Sequence, residues 1–340
     1  MKRNRTVQLF ITGLFILASM LTKAQQNIFR FTDQGFKIVQ FTDTHIKANR
    51  KSSVLSIQTI EKVLDLEKPD LVIYTGDIVT GRPVFKGWDL ILAPCIKRQI
   101  PYAVVFGNHD DENGKSRKTL ADKISKMPFS QLIPKVDDVY GFGNYLIEVS
   151  SQTENQPALL IYCMDSNAYS TNKKYKGYGW FMNSQIEWFK QQSITYKNQL
   201  NKTLPALAFF HIPLPEYTEA FTSDEFLSIG NRQEKECSPV FNSGMFEAMV
   251  ESGDVMGTFV GHDHVNDYLA CRKGIALGYG RFTGSSTTYG DLDCGARVIL
   301  LHEGKRDFTS WIRTGNGEKI QEVKFPDDLI IDNEEILTYE

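Results

Sequence analysis

Five of the six histidines in this 340-residue chain, His45, His109, His211, His262 and His264, stand just past a short apolar run. Asp43, Asp77, Asn108, Asp110 and Asp263 are interleaved with them. The run 36–41 leads into Thr42-Asp43-Thr44-His45, 71–74 into Thr75-Gly76-Asp77, and 102–106 into Gly107-Asn108-His109-Asp110. The run 204–210 leads into His211-Ile212-Pro213, and 256–260 into Gly261-His262-Asp263-His264. A lone histidine after a strand is commonly a hydrogen-bonded structural group. Five of them among carboxylates are a set of nitrogen and oxygen donors suited to divalent transition metals. In extended backbone, side chains two apart share a face, which aims Asp43 with His45, and His262 with His264, into one space. Asn108 and His109 are adjacent and diverge, so one can bind metal while the other faces a substrate.

Elements must bring these residues together. Each apolar run is short and rich in β-branched or aromatic residues, and reads as a buried strand; 141–149 and 159–164 add further strands. Val54, Ile57, Ile60, Val63 and Leu64 share one face of a helical segment stopped by Pro69, and 88–96 and 184–196 have similar spacing. The alternation predicts an α/β core, and catalytic groups gather where strands of such a sheet end. The polar stretch 213–243 reads as a long functional loop with one short helix. The charge-rich last forty residues read as edge strands and a tail. Candidate residues spread from 43 to 264 argue for one catalytic domain over 25–340, with its core at about 36–300.

Residues 1–24 carry Lys2, Arg3 and Arg5, an apolar run over 9–21, and Thr22-Lys23-Ala24, the pattern of a secretory signal peptide. The run is shorter than the roughly 20 residues a membrane-spanning helix needs. The expectation is cleavage and export, periplasmic or secreted, with no membrane span after cleavage. A net charge of -3 gives no nucleic-acid-binding surface. Cys95, Cys163, Cys237, Cys271 and Cys294 fit no zinc knuckle and leave one thiol unpaired; Cys163 reads as core and Cys271–Cys294 as a candidate bridge.

The five motifs, in this order, resemble those of the calcineurin-like metallophosphoesterases over about 36–300. The segment 209–216, with Gly177-Tyr178-Gly179-Trp180 and Tyr279-Gly280-Arg281, resembles a branch loosely related to the purple acid phosphatases. The resemblance implies an α/β fold of the α+β-type four-layer sandwich, two mixed β-sheets flanked by helices, with a dinuclear metal site at strand ends. It implies one metal on Asp43, His45, Asp77 and His264, and a second on Asp77, Asn108, His211 and His262, with Asp77 shared. The purple enzymes place a tyrosine three residues after the bridging aspartate and lack a histidine where His45 stands. Thr80 occupies the tyrosine position here, so a tyrosinate ligand is missing and iron, manganese, zinc and nickel all remain open.

The activity implied is hydrolysis of a phosphate ester, on a small molecule or a protein. On that resemblance two cations would clamp the ester and supply a hydroxide for in-line attack on phosphorus. His109 would stabilise or protonate the leaving group, oriented by Asp110. Asn108 and His109 meet the substrate, and Arg82 and Arg281 are candidates to grip a phosphate oxygen in bidentate fashion. Tyr178, Trp180 and Tyr217 are candidates to line the cleft; Asp263, Asn266 and Glu216 are candidates to orient ligands. The alternatives are a phosphodiesterase on the same core and a non-catalytic metal-binding or interaction module.

Overall fold

The computed structural model describes residues 29–287 and 290–331, so the signal peptide expected over 1–24 lies outside the described residues. The strands are β1 (Phe29–Arg30), β2 (Phe36–Phe41), β3 (Leu71–Thr75), β4 (Tyr102–Val105), β5 (Tyr145–Ser150), β6 (Pro157–Cys163) and β7 (Ala206–Phe209). They continue as β8 (Val255–Val260), β9 (Leu269–Arg272), β10 (Ile275–Tyr279), β11 (Gly295–Leu301), β12 (Phe308–Thr314) and β13 (Lys319–Phe325). Between them lie helices α1 (Lys51–Glu67), α2 (Val84–Arg98), α3 (Arg117–Ile124), α4 (Asn183–Leu200), α5 (Glu216–Phe221) and α6 (Met245–Ser252).

Two mixed sheets result. One runs β1-β5-β6-β7-β8-β10-β9 and the other β13-β12-β11-β2-β3-β4. Side-chain alternation assigns each face. In β6, Leu159, Ile161 and Cys163 enter the core between the sheets, while Leu160 and Tyr162 face outward. The two sheets meet through Phe259 of β8 and Phe308 of β12, ring centres 5.7 Å apart, and through the Gln40 amide, which donates to the Val260 carbonyl at 3.0 Å. Outward residues of the seven-stranded sheet pack with Ile186 and Phe189 of α4 and Phe246 and Met249 of α6. Ile60, Val63 and Leu64 of α1 and Ile91 and Leu92 of α2 join the other core. The expected four layers are present.

The expected helices are found with longer bounds. α1 closes at Lys68, whose φ of 48° puts it in the left-handed C-cap conformation. The segment 213–243 holds α5, as read from its sequence. α3 and α6 were not foreseen; α3 is short, and Ser116 caps it by accepting from the Thr119 N–H. Among the last forty residues, β12 and β13 lie side by side at one edge. All five cysteines are free. Cys271 lies in β9 of one sheet and Cys294 just before β11 of the other, so the expected bridge does not form. Among the described residues no helix is long and apolar enough to cross a membrane.

Candidate metal centre

Parallel pairing puts five chain reversals at one place. β2, β3 and β4 run parallel, with Phe41 beside Tyr74 and Thr75 beside Val105. The segments bearing Asp43 and His45, Asp77, and Asn108 therefore leave from one edge. In the facing sheet β7 and β8 run parallel with Phe209 beside Phe259, delivering His211, His262 and His264 to the same edge. The exits are laced by backbone bonds: the Asp43 N–H to the Gly76 carbonyl (3.1 Å), His45 to Asp77 (3.0 Å) and Gly261 to His211 (3.1 Å).

These exits are not extended. Asp43, His45, Asp77 and His262 have φ of 51°, 45°, 52° and 79°, left-handed values that cost about 1–3 kcal/mol each and concentrate at functional sites. The expected two-residue alternation is thus replaced by tight bends, and His262 and His264 fall into different groups of potential ligands. Two glycines show how close the approach is. A Cβ on Gly76, whose φ is +86°, would lie 2.4 Å from His211 Nδ1, and one on Gly107 would lie 2.2 Å from Asp77 Oδ1.

The ligand atoms gather as Asp43, His45 and His264, and as Asp77, His211 and His262, each within 4.8 Å of one another. One oxygen of each carboxylate is fixed from behind. Asp77 Oδ1 accepts from the His109 N–H (2.8 Å); Asp43 Oδ2 accepts from the Thr42 hydroxyl (2.7 Å) and the His262 N–H (3.0 Å). The other oxygens face inward. Asp77 Oδ2 stands 3.4 Å from His211 Nε2 and 3.7 Å from His45 Nε2, between the two groups. Asp43 Oδ1 is 3.4 Å from His264 Nε2. Nδ1 of His211 lies 2.7 Å from the Thr75 carbonyl, and Nδ1 of His264 lies 2.7 Å from that of Thr287. A carbonyl only accepts, so each Nδ1 carries a hydrogen and each Nε2 is turned inward.

Asp43 Oδ1, His45 Nε2, Asn108 Oδ1, His211 Nε2 and His262 Nε2 are buried without a hydrogen-bond partner. Such atoms are costly to bury unsatisfied, and Asp43, His45, His211 and His262 belong to the two ligand groups that Asp77 Oδ2 stands between. Their types and convergence fit two cations. Burial opposes charge on Asp77, yet His211 and His45 beside it hold its carboxyl well below the usual range. Burial likewise opposes charge on Asp43, and His264 and His211 together outweigh it, so its pKa is lowered. In return, against their own burial, His211 is lifted to about 9 by Asp77 and His264 to about 9 by Asp43. Burial pushes His262 down to about 3. A further group, Glu234, Cys237 and Asp263, lies behind the histidine loop. Both Asp263 oxygens accept from the Cys237 N–H, and one also accepts from the Tyr279 hydroxyl at 2.6 Å.

Several expected roles change. Asp110 does not orient His109. It is buried and accepts from the N–H groups of Asp77 (3.0 Å), Ile78 (2.8 Å), Val79 (3.1 Å) and Gly107 (2.8 Å), bracing the backbone under the ligands. Burial, with Asp77 nearby, raises its pKa to about 6. The partner of His109 is Glu112, with Oε2 2.7 Å from Nδ1, and the sequence reading missed it. Tyr169 donates from its hydroxyl to Glu112 Oε1 (3.2 Å) and accepts from the Asn108 amide (3.1 Å). Arg281 is 2% exposed and bound to buried Asp267 and to the Asp293 carbonyl, so it cannot reach a phosphate. Arg82 is exposed and donates to the Asn113 carbonyl at 3.1 Å.

Tyr217 is core, its hydroxyl on Thr258, and so does not line a cleft. Tyr178 does border the site, its ring edge-on to His262 at 4.3 Å and stacked on Tyr169 at 5.8 Å. Glu216 accepts from Asn242, and Asn266 accepts from the Gln233 and Glu234 N–H groups. Neither touches a ligand through these bonds.

The profile of the family described as Calcineurin-like phosphoesterase matches residues 36–266. The chain is 34% identical over 330 residues to an Arabidopsis thaliana protein named probable inactive purple acid phosphatase 29, covering 87% of this chain and 84% of that one. It is 36% identical over 273 residues to the phosphatase DCR2 of Saccharomyces cerevisiae, covering 70% of this chain and 45% of that one. Its fold is similar to a dimetal phosphatase from Danio rerio, with a TM-score of 0.61 at 12% identity, covering 86% of this chain and 99% of that one.

Proposed function

The chain belongs to the calcineurin-like phosphoesterase family, and on that premise we propose that it hydrolyses phosphate esters, with His109 as proton donor to the leaving group. What carries the reading is the pair of His/Asp ligand groups with Asp77 Oδ2 between them, whose Asp43, His45, His211 and His262 atoms are buried and unpartnered. Asp43, His45 and His264 would hold one cation, and Asn108, His211 and His262 the other, with Asp77 shared. That pair would supply Lewis acidity to the phosphoryl oxygens and a nucleophilic water at neutral pH.

The chain's own part centres on His109. Its side chain is 37% exposed where that of Asp77 is 1%, so it faces the direction from which a substrate arrives. Nε2 lies 4.0 Å from Asp77 Oδ2. With Nδ1–H held by Glu112, the proton to be given up sits on Nε2, beside the departing oxygen. As the water oxygen bonds to phosphorus and the P–O ester bond breaks, the leaving oxygen takes that proton. Such transfer is typically worth 10²–10⁴-fold. The reading also takes 25–340 as one catalytic domain, because both sheets contribute ligands.

The name of the Arabidopsis relative raises a second reading, metal binding without turnover; the complete ligand set and His109 favour catalysis here. The test is metal content per chain together with turnover of an aryl phosphate monoester and the matching diester, with and without chelator. Metal-dependent hydrolysis is expected, and the ratio of the two esters separates phosphatase from phosphodiesterase. A metal-loaded chain that turns over neither would leave the binding reading, and equal rates after chelation would reject the metal mechanism.

A further inference from the structure

Beside the metal centre lies a cavity of about 500 Å³, the size of pocket that takes a small organic group. It is formed by the start of α3, the Tyr140–Phe142 turn and the loop 165–182. Tyr169 belongs to both places. It lines the cavity, its hydroxyl joins Asn108 and Glu112, and its ring centre is 6.5 Å from that of His109. A leaving group whose oxygen takes the His109 proton therefore has the cavity next to it.

The lining narrows the chemistry of that group. Its basic members are already engaged. Arg117 is bound to Asp165 and to the Gly107 carbonyl, Lys118 is paired with Asp122, and Lys135 donates to the Val139 and Gly141 carbonyls. In the rest of the lining the largest side chains are aromatic, Tyr140, Phe142, Tyr169 and Trp180, beside the small hydroxyls of Ser116, Ser170 and Thr171. Tyr140 is 48% exposed at the mouth, and Trp180 is braced by Phe241 with ring centres 4.9 Å apart. Rings of this kind favour another ring, by stacking or edge contact, over an aliphatic chain.

We propose that this cavity is the leaving-group pocket and that it selects phosphate monoesters of aromatic alcohols. The proposal rests on the phosphoesterase reading, and the test keeps the two apart. Binding of benzylphosphonate, the non-hydrolysable counterpart of phenyl phosphate, and of methylphosphonate is measured by calorimetry on the metal-loaded chain. Benzylphosphonate should bind about 10-fold tighter. Trp180→Ala and Tyr140→Ala should each erode that preference and leave methylphosphonate affinity unchanged, which also shows that the variants remain folded. Equal affinities in the wild type, or a preference that survives both substitutions together, overturns the pocket alone. Failure of methylphosphonate itself to bind overturns the phosphoesterase reading and the pocket with it.

Discussion

At the scale of single residues, His109 Nδ1 and Glu112 Oε2 are 2.7 Å apart, and on the proposed mechanism their variants should fail in the same way. His109→Ala should keep its metal and lose about 10²–10⁴-fold in turnover, with the loss growing as the leaving group becomes more basic. Glu112→Gln should show a smaller loss with the same dependence on the leaving group, because it loosens the ring without removing the acid. Rates on a series of aryl and alkyl phosphates check this; a Glu112→Gln loss that is flat across the series removes Glu112 from the positioning role. The sequence made the candidate metal ligands legible because each follows a strand-like run in a fixed order. It could not separate Asp110 from Glu112. Both are acidic and close to His109, and only the turn closing with the Glu112 N–H on the His109 carbonyl (3.4 Å) places Glu112 beside the ring and sends Asp110 inward.

At the scale of elements, the strands and three long helices followed from periodicity, whereas α3 and α6, each of 8 residues, give too few turns for an apolar stripe to stand out. The role of Arg281 was equally hidden, because its partner lies on the segment just before β9. Asp267 holds Arg281, accepts from the Asn231 N–H at 2.6 Å, and offers its carbonyl to Arg297. All three charged side chains are buried. Asp267→Ala would strand a guanidinium in the core, and breaking such a pair typically costs about 3–5 kcal/mol. Urea unfolding should show a midpoint lowered accordingly. A loss under 1 kcal/mol, or a loss of turnover with stability intact, would return Arg281 to the substrate side.

At the scale of the whole molecule, the candidate ligands are divided between the sheets: Asp43, His45, Asp77 and Asn108 follow strands of one, and His211, His262 and His264 follow strands of the other. Cations bound there would clasp the open edge of the sandwich, because the candidate ligands of each group come from both sheets. A cation at 100 times its dissociation constant adds about 2.7 kcal/mol to the folded state, so chelation should lower the melting temperature by several degrees. Asp77→Asn removes the one carboxylate oxygen that faces both ligand groups. It should lower metal content at both positions and erase most of the difference between loaded and chelated melts. Calorimetry on the four samples, with metal measured in each, tests the clasp. If the wild-type chain melts at the same temperature after its metal has demonstrably been removed, the sheets are held by their apolar interface alone and the site is an ornament of the edge, not a part of what closes it.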